Sequence, residues 1–517
     1  MIRSIISKLK SRLVAYGSLE RKLAYEEIGE TVHLKRDDVG VKILIEGMLR
    51  TPKNNLEKII VAKAVGRIYG LSSVDVLTKR SLDKSDPNAD FYKASGVKVA
   101  ARLEAGIFDV KIVIKSIMLA IRLRKQFFSK DFVDFNFKGI PLGELVCDTA
   151  IRNFKGIYTY RDINWSQRLK LLLSSSYYIS FYESVLSKER YDYLIISHKS
   201  YLVYGVIFYL ARFNGIKVLL RDNNVIKLYD ENVNAKEHFL QISHDKIREH
   251  LGNPNSLVKS NDYIESRFKG EVDQIDVNNA FNNKTKYSKH VLFKELNLDN
   301  NKPVVLIMPH AFSDSPHCGT YLAFEDYYHW LECVVEAVSK NNNCNFLIKP
   351  HPSSYFWGER GIVEELMARA SNIVIVPGDM NTNSFVGLAD IVITAQGTIG
   401  LESICFNIPS LTCGGSYYSG NFEDLEFKDR DDYLTTIVNL GVGTIPRVND
   451  EQARLARITL WLSHTSLVNS TLVAASNILP NEDYSRQEKK LLSEIVKKAP
   501  LYKVDSDPLF IAVNEMI

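Results

Sequence analysis

Asp390-Ile-Val-Ile-Thr-Ala-Gln-Gly-Thr-Ile-Gly-Leu-Glu402 is the stretch that decides the fold of this chain. Ile391 to Thr394 reads as a buried strand, Gly397 and Gly400 let the backbone turn and approach a ligand, and Thr398 is placed to cap the helix that follows. Free amides at a helix start attract an anion. Glu402 falls about one helical turn beyond Thr398, within reach of ribose hydroxyls on the same ligand. A strand entering a helix through a glycine turn is the unit of a parallel α/β sheet, and these polar groups suit a nucleotide. Small residues at such a turn also have a purely structural use.

Outward from this junction the same rhythm repeats. Strands are expected at Val304 to Met308, Asn345 to Ile348, Ile373 to Val376, Asp390 to Thr394 and Pro409 to Thr412. Helices are expected at Glu325 to Lys340, Glu359 to Ala370, Thr382 to Leu388 and Thr398 to Phe406. Five strands alternating with four helices specify a parallel, doubly wound sheet, because each parallel crossover needs a connecting segment and the helix covers a face. The first half reads as α/β too: Val41 to Ile45, a turn at Thr51 to Asn55, a helix from Leu56 to Tyr69 ending at Gly70, a strand at Val74 to Leu77 and a helix over Asp109 to Arg124. A strand, helix and strand follow at Tyr193 to Ser197, Tyr201 to Asn214 and Lys217 to Leu220. Between Asp222 and Tyr287 the chain is polar and reads as helices and loops. The expected organisation is a basic N-terminal segment (1–38), a Rossmann-like N-terminal domain (39–288), a Rossmann-like C-terminal domain (289–450) and a helical segment (451–517).

A chain of 517 residues exceeds one ordinary core and divides into domains. Its 45% hydrophobic content supplies those cores, and a net charge of +4 is too small to mark nucleic acid as a partner. Six scattered cysteines with no CxxC pair or Cys/His cluster disfavour zinc and a disulfide framework, and fit a reducing cytosol. No apolar stretch reaches the roughly 20 residues that span a bilayer. Ile2, Ile5, Ile6, Leu9 and Leu13 recur at helical spacing with Arg3, Lys8, Lys10 and Arg12 between them. Such a helix lies either on anionic lipid, here the cytoplasmic face of the inner membrane, or on its own protein.

Ligands of a parallel sheet bind outside the carboxyl ends of its strands. After the first four strands of the second half come Pro309-His-Ala-Phe-Ser-Asp-Ser-Pro-His317, Lys349-Pro-His-Pro-Ser353, Pro377-Gly-Asp379 and Gln396-Gly-Thr398. Lys349 is a point charge for phosphate, and His351 can donate to a phosphate oxygen or simply cap its loop. His310, Asp314 and His317 suit an acid/base group, although Asp314 between Ser313 and Ser315 also suits an Asx turn. No carboxylate-rich cluster points to a metal, and no G-x-S-x-G elbow surrounds Ser313. In the first half, Glu144, Asp148 and Arg152 share one face of a helix beginning near Gly143. That face is either an i,i+4 ladder or a catalytic surface brought from the other domain, carrying a base or an anion-holding Arg152. His198 and Lys199 follow a strand end in the same way.

These residues resemble the GT-B glycosyltransferases of bacterial capsule and lipopolysaccharide assembly. The resemblance is carried by His310-Ala-Phe-Ser-Asp-Ser-Pro-His317, Lys349-Pro-His-Pro352, Gly397-Thr-Ile-Gly-Leu-Glu402 and Gly139-Ile-Pro-Leu-Gly-Glu-Leu-Val-Cys-Asp148. The His-Pro pair is similar to that of bacterial sialyltransferases, Kdo transferases and CDP-glycerol phosphotransferases, which implies contact of His351 with the phosphate of a cytidine nucleotide. The resemblance further implies two Rossmann-like domains facing across a cleft. It also implies a nucleotide-sugar donor such as a CMP-sugar, a glycan or lipid-linked glycan acceptor, and no bound metal or other cofactor. His310, Lys349, His351, Gln396, Gly397, Thr398 and Glu402 are then the donor-binding candidates, and Glu144, Asp148, Asp314 and His317 the catalytic ones. The paired acids followed by Gly that accompany His-Pro in sialyltransferases are missing, the nearest match being Gly143-Glu144. Rival readings are a CDP-alditol polyol-phosphate transferase, a sugar-nucleotide epimerase and a non-catalytic scaffold of polysaccharide assembly.

Overall fold

The computed structural model describes residues 19–49, 51–79, 87–129, 131–222, 224–272, 284–352, 354–377, 380–443, 445–473 and 484–517. The basic segment at residues 1–14, Ser353, Gly378 and Asp379 lie outside them. Contacts divide the chain into two compact units, one of Met1–Gly143, Ser166–Ala235 and Leu467–Ile517, the other of Glu144–Trp165 and Lys236–Ser466. Sequence reasoning expects contiguous domains with boundaries at 288 and 450. The units are instead discontinuous, because the described residues of 236–288 and 144–165 group with the second sheet and those of 467–517 with the first.

The first unit holds a six-stranded sheet, β1 (Val41–Gly47), β2 (Leu71–Thr78), β3 (Lys98–Arg102), β4 (Tyr193–Ile196), β5 (Lys217–Asp222) and β6 (Val225–Tyr229). Its order is β3-β2-β1-β4-β5-β6, parallel except for β6, which turns back antiparallel on β5. The helix Pro52–Tyr69 starts where Thr51 accepts from the Asn54 amide and Pro52 presets the first turn. It stops at Gly70, whose φ of 71° is open to glycine, and a Cβ there would lie 2.8 Å from the Val39 carbonyl. Its side chains Leu56, Ile59, Ile60 and Val65 are fully buried in a core shared with β1, β2 and the C-terminal helix Pro508–Met516.

The second unit holds five short parallel strands, β7 (Val304–Ile307), β8 (Asn345–Ile348), β9 (Ile373–Ile375), β10 (Ile391–Ile393) and β11 (Ser410–Leu411). The expected strands and helices of this half are all present. The order β11-β10-β7-β8-β9 means that the chain runs outward from β7 to β9, then returns to lay β10 on the other side of β7. β7 and β10 therefore flank the switch point of the sheet, the place at which open α/β sheets bind their ligands. Apolar β-branched strands are buried on both faces here, which is why they read as continuous runs. Both units are thus parallel α/β sheets flanked by helices. Among the described residues no helix is long and apolar enough to cross a membrane.

Candidate functional site

The loops leaving β7 and β10 meet through His310 and Gln396. The Gln396 amide N–H donates to His310 Nε2 at 3.2 Å, so that nitrogen is an acceptor and the ring proton sits on Nδ1. The His310 ring lies flat on Tyr327, centroids 4.1 Å apart and planes 9° off parallel. Burial, assisted by the nearby His351, pushes the His310 imidazole down to about 3 and keeps it neutral. The Gln396 side-chain nitrogen donates in turn to the Pro316 carbonyl at 3.0 Å and to the Tyr327 hydroxyl, tying the β10 loop to the far end of the β7 loop.

The β7 loop is held from below by Glu359. Its carboxylate accepts from the amides of Phe312 and Ser313, both at 2.9 Å, and from the Ser313 hydroxyl at 2.8 Å. Burial raises the Glu359 pKa and these donors oppose the rise. Past a turn at Ser315, whose φ is 48°, the loop delivers His317 to Asp148. Asp148 belongs to the helix Leu142–Asn153, and its Oδ1 lies 2.7 Å from His317 Nδ1. The following segment fixes that helix within the unit: Arg161 makes two 2.7 Å bonds to Glu325, and the Thr159 hydroxyl donates to Asp326 at 2.6 Å.

The two side chains of this dyad are 7% and 2% exposed. Burial alone would depress the His317 imidazole, but the Asp148 carboxylate, backed by Glu144 and Asp326, raises it to about 9. His317 is therefore an imidazolium at neutral pH, one N–H given to Asp148. Its other nitrogen, Nε2, is buried and has no hydrogen-bond partner among the described residues. A charged donor withheld from water and left unpaired is costly in a folded protein, and such groups mark places where something else completes the bond.

The remaining sequence candidates are distributed unevenly around this point. Glu144 pairs with Lys236, and Arg152 stacks its guanidinium 3.3 Å above the Trp357 ring centre. Glu144, Asp148 and Arg152 therefore each take a partner outside their own helix. From Glu144 onward their helix is part of the second unit, which corrects the expectation that it reaches over from the first. Asp314 is exposed, and its amide closes a turn on the Ala311 carbonyl at 3.1 Å; the carboxylate that meets His317 is Asp148.

Lys349 departs from the expectation that it points at a ligand. It is 3% exposed, with Nζ bonded to the Met380 carbonyl at 3.1 Å and the Thr382 hydroxyl at 2.7 Å, and burial lowers its pKa to about 7. It ties β8 to the β9 loop. The His351 carbonyl accepts from the Ser354 amide at 3.1 Å, which makes a turn of the Pro-flanked loop. Gly397, and not Thr398, occupies the cap position, with no side-chain cap bond, and the Tyr418 hydroxyl donates to the Gly397 carbonyl at 2.7 Å. The helix Thr398–Ile404 that follows has seven residues, so its dipole is short. A Cβ on Gly397 would sit 2.9 Å from Thr394 Oγ1 and 3.4 Å from the His310 ring, so the glycine is needed for the loops to close. Glu402 is 6% exposed, and one oxygen receives two bonds from Arg267, at 2.6 and 2.8 Å.

His198 and Lys199 belong to the first unit, where His198 Nδ1 lies 3.2 Å from Asp222 and Lys199 donates to the Ala235 carbonyl. Sequence reasoning missed Glu359, Tyr327, Lys236 and Arg267. Only Tyr327 had a local signal, since Asp326 caps its helix at the His329 amide. The other three reach the site from remote segments, and no spacing in the chain announces them.

Residues 223–429 match a family described as "Protein of unknown function (DUF354)". No curated protein matches the chain. Among solved structures, a beta Kdo 2,4 transferase of Thermosulfurimonas dismutans is similar over 52% of this chain and 79% of its own, with 13% identity and a TM-score of 0.33. A glycosyltransferase of Rickettsia africae is similar over 90% of this chain and all of its own, with 11% identity and a TM-score of 0.28. The UDP-GlcNAc 2-epimerase of Methanocaldococcus jannaschii, solved with UDP-GlcNAc and UDP, is similar over 82% and 99%, with 11% identity and a TM-score of 0.26.

Proposed function

We propose that the chain is a nucleotide-sugar-dependent glycosyltransferase of the GT-B kind, whose second unit takes the donor at the carboxyl ends of β7 and β10. The observation that carries this reading is the unpartnered Nε2 of the buried His317 imidazolium. In glycosyl transfer the bond from the sugar's anomeric carbon to the phosphate oxygen breaks, and a bond to the acceptor oxygen forms. Negative charge grows on the departing phosphate, and a preorganised cationic donor in a dry site stabilises it most at that moment. His317 is such a donor, with Asp148 fixing its orientation and its proton count.

The same charge state argues against His317 as the base that takes the acceptor's proton, since a base must begin neutral. Asp148 is consumed by His317, so of the carboxylates at the site Asp314 is the exposed one. The neutral His310, with Nε2 taken by Gln396, offers a further donor from Nδ1 toward an anionic or sugar oxygen. The finer reading is a CMP-sugar such as CMP-Kdo given to a hydroxyl of a bacterial surface glycan. It rests on the His-Pro sequence resemblance.

The test is thermal unfolding of the full chain with CMP, CDP, UDP, GDP and dTDP, beside His317→Gln and His351→Ala. A ligand at 100 times its Kd adds about 2.7 kcal/mol to the folded state. One nucleotide is expected to raise Tm, with the rise reduced in His317→Gln. Absence of stabilisation by all five at millimolar concentration defeats the reading, and CMP failing where UDP succeeds defeats the CMP-sugar part alone.

A further inference from the structure

The helix Val110–Phe127 of the first unit is apolar on two opposite faces. One is ordinary: Ile112, Ser116, Ala120, Leu123 and Phe127 fall on one side at 3.6 residues per turn and are buried against their unit. The other is not. Val110, Ile114, Ile117, Met118 and Ile121 line the opposite side and are each 51–69% exposed. The turn that leads into the helix carries two more exposed apolar side chains, Ile107 and Phe108, 55% and 82% exposed. An outward row of this kind is a contiguous apolar patch, unlike the scattered exposed apolar residues of any soluble surface.

The charges around the stripe name its partner. The eighteen residues of the helix carry Lys111, Lys115, Arg122, Arg124 and Lys125 and no acid. On the helical wheel Lys111, Lys115 and Arg122 border the stripe on one side, Arg124 on the other, and Lys125 closes its C-terminal end. A second copy of this chain would set five cations against five across any two-fold contact, which repels. Nucleic acid would satisfy the cations and leave the apolar row in water. A surface that is anionic at its headgroups and apolar just beneath satisfies both. We propose that this face lies in the plane of an anionic lipid bilayer, the apolar row entering the acyl boundary and the flanking cations meeting the headgroups. The helix does not span: it presents one outward stripe, and its other face is committed to the core.

The inference stands on the first unit alone and holds whether or not the chain transfers sugars. The experiment is co-sedimentation of the full chain with phosphatidylcholine vesicles, with and without phosphatidylglycerol. Binding is expected only with phosphatidylglycerol and should fall as salt rises. The combined variant Ile114→Gln, Ile117→Gln, Met118→Gln, Ile121→Gln should lower partitioning at least about tenfold with Tm unchanged, because these side chains contribute nothing to the core. Lys111→Gln, Lys115→Gln, Arg122→Gln should lose the dependence on phosphatidylglycerol. Residues 1–14 are also basic and amphipathic in sequence, so Ile2→Gln, Ile5→Gln, Ile6→Gln, Leu9→Gln is measured beside them. The proposal is overturned if the folded helix variant sediments like the parent, or if only the N-terminal variant loses binding. It is equally overturned if the parent ignores phosphatidylglycerol, or if the face proves to hold a dimer in vesicle-free solution.

Discussion

At the carboxyl end of β1 in the first unit, Glu46 and Lys58 are wholly buried and joined at 2.9 Å. The Glu46 carboxylate also receives the amides of Leu49 and Ser197, both at 3.2 Å, and of Met48. At the carboxyl end of β7 in the second unit, Asp148 and His317 are almost as buried and joined at 2.7 Å, yet one polar atom of the pair is left over. The two sheets share a construction, and both put opposite charges at the same end. In the first the charges close on each other and on the backbone, so the pair specifies how β1, β4 and the helix Pro52–Tyr69 fit together. In the second a proton donor is kept back. Completeness of the hydrogen bonding, more than burial or charge, separates a fastening from a candidate reactive group.

The strongest way to break this contrast is to remove one partner of the closed pair. Lys58→Met leaves a buried carboxylate without its cation and should cost about 3–5 kcal/mol, read as a lower urea midpoint. Adding Glu46→Gln should restore only part, since the amides of Met48, Leu49 and Ser197 keep a weaker acceptor. Under the proposed function, nucleotide binding to the second unit should survive in whatever fraction of molecules stays folded.

Next in size is the open pair. Under the proposed function, His317→Gln should lower turnover at least about 100-fold, and below pH 6.5 it should also lower Tm, because the buried Asp148 carboxylate loses the cation it faces. Asp148→Asn should lower turnover comparably by a different route. Without the carboxylate, burial wins and the imidazole is neutral at pH 7. A variant of either residue that keeps parental turnover would make the dyad a second fastening.

The pH dependence follows, and its signs differ between the two pairs. The His317 pKa is raised from an ordinary 6.5 to about 9. Its stabilisation is therefore full below pH 6.5 and lost as pH rises through 9. Glu46 would be raised by burial, but Lys58 and the donors around it leave it lowered. Its stabilisation is present above the ordinary glutamate range and lost as pH falls through the depressed value. Unfolding midpoints of the parent and His317→Gln should converge between pH 6.5 and 9, and turnover should decline over its alkaline part. His310, depressed to about 3, adds a loss of stability as pH falls below 6.5.

The smallest effect belongs to the exposed pair Arg161 and Glu325, 47% and 41% exposed. Arg161→Gln should cost less than about 1 kcal/mol and respond to salt. A larger loss would mean that the segment 144–165 depends on this fork to hold Asp148 in place.

How much of this the sequence disclosed depended on how far apart the interacting residues lie. The strands of the second unit are legible because Val304–Ile307 and Ile391–Ile393 are buried on both faces and need apolar residues throughout. β6, Val225–Tyr229, was not, since an antiparallel edge strand within a polar window gives only five residues of weak alternation. The 24-residue helix Trp165–Lys188 also escaped, because its Ser and Tyr residues blur the apolar period. At the site, strand-end position picked out His310, His317 and Gln396, which bond to partners beyond their own loops. It also picked out Lys349 and Glu402, which turn inward to Thr382 and Arg267. Position in a loop says where a side chain begins, and its direction is decided by contacts with Glu359, Tyr327 and Asp148, which come from elsewhere in the chain.

The interleaving of the two units has a consequence for synthesis on the ribosome. The second unit has all its segments once Ser466 has emerged, whereas the first, which begins earlier, still lacks 467–517. Those residues are not ornament: the Val468 carbonyl accepts from Arg221 at 2.7 Å, the Ile517 carbonyl accepts from the Tyr69 hydroxyl, and Leu509 and Val513 are fully buried in the first core. More than two hundred residues separate Ala235 from Leu467, an interval of about 10–50 s at translation rates of roughly 5–20 residues per second. Through that time β1 to β6 wait with part of their apolar cover missing, and the half of the protein made first is the half finished last.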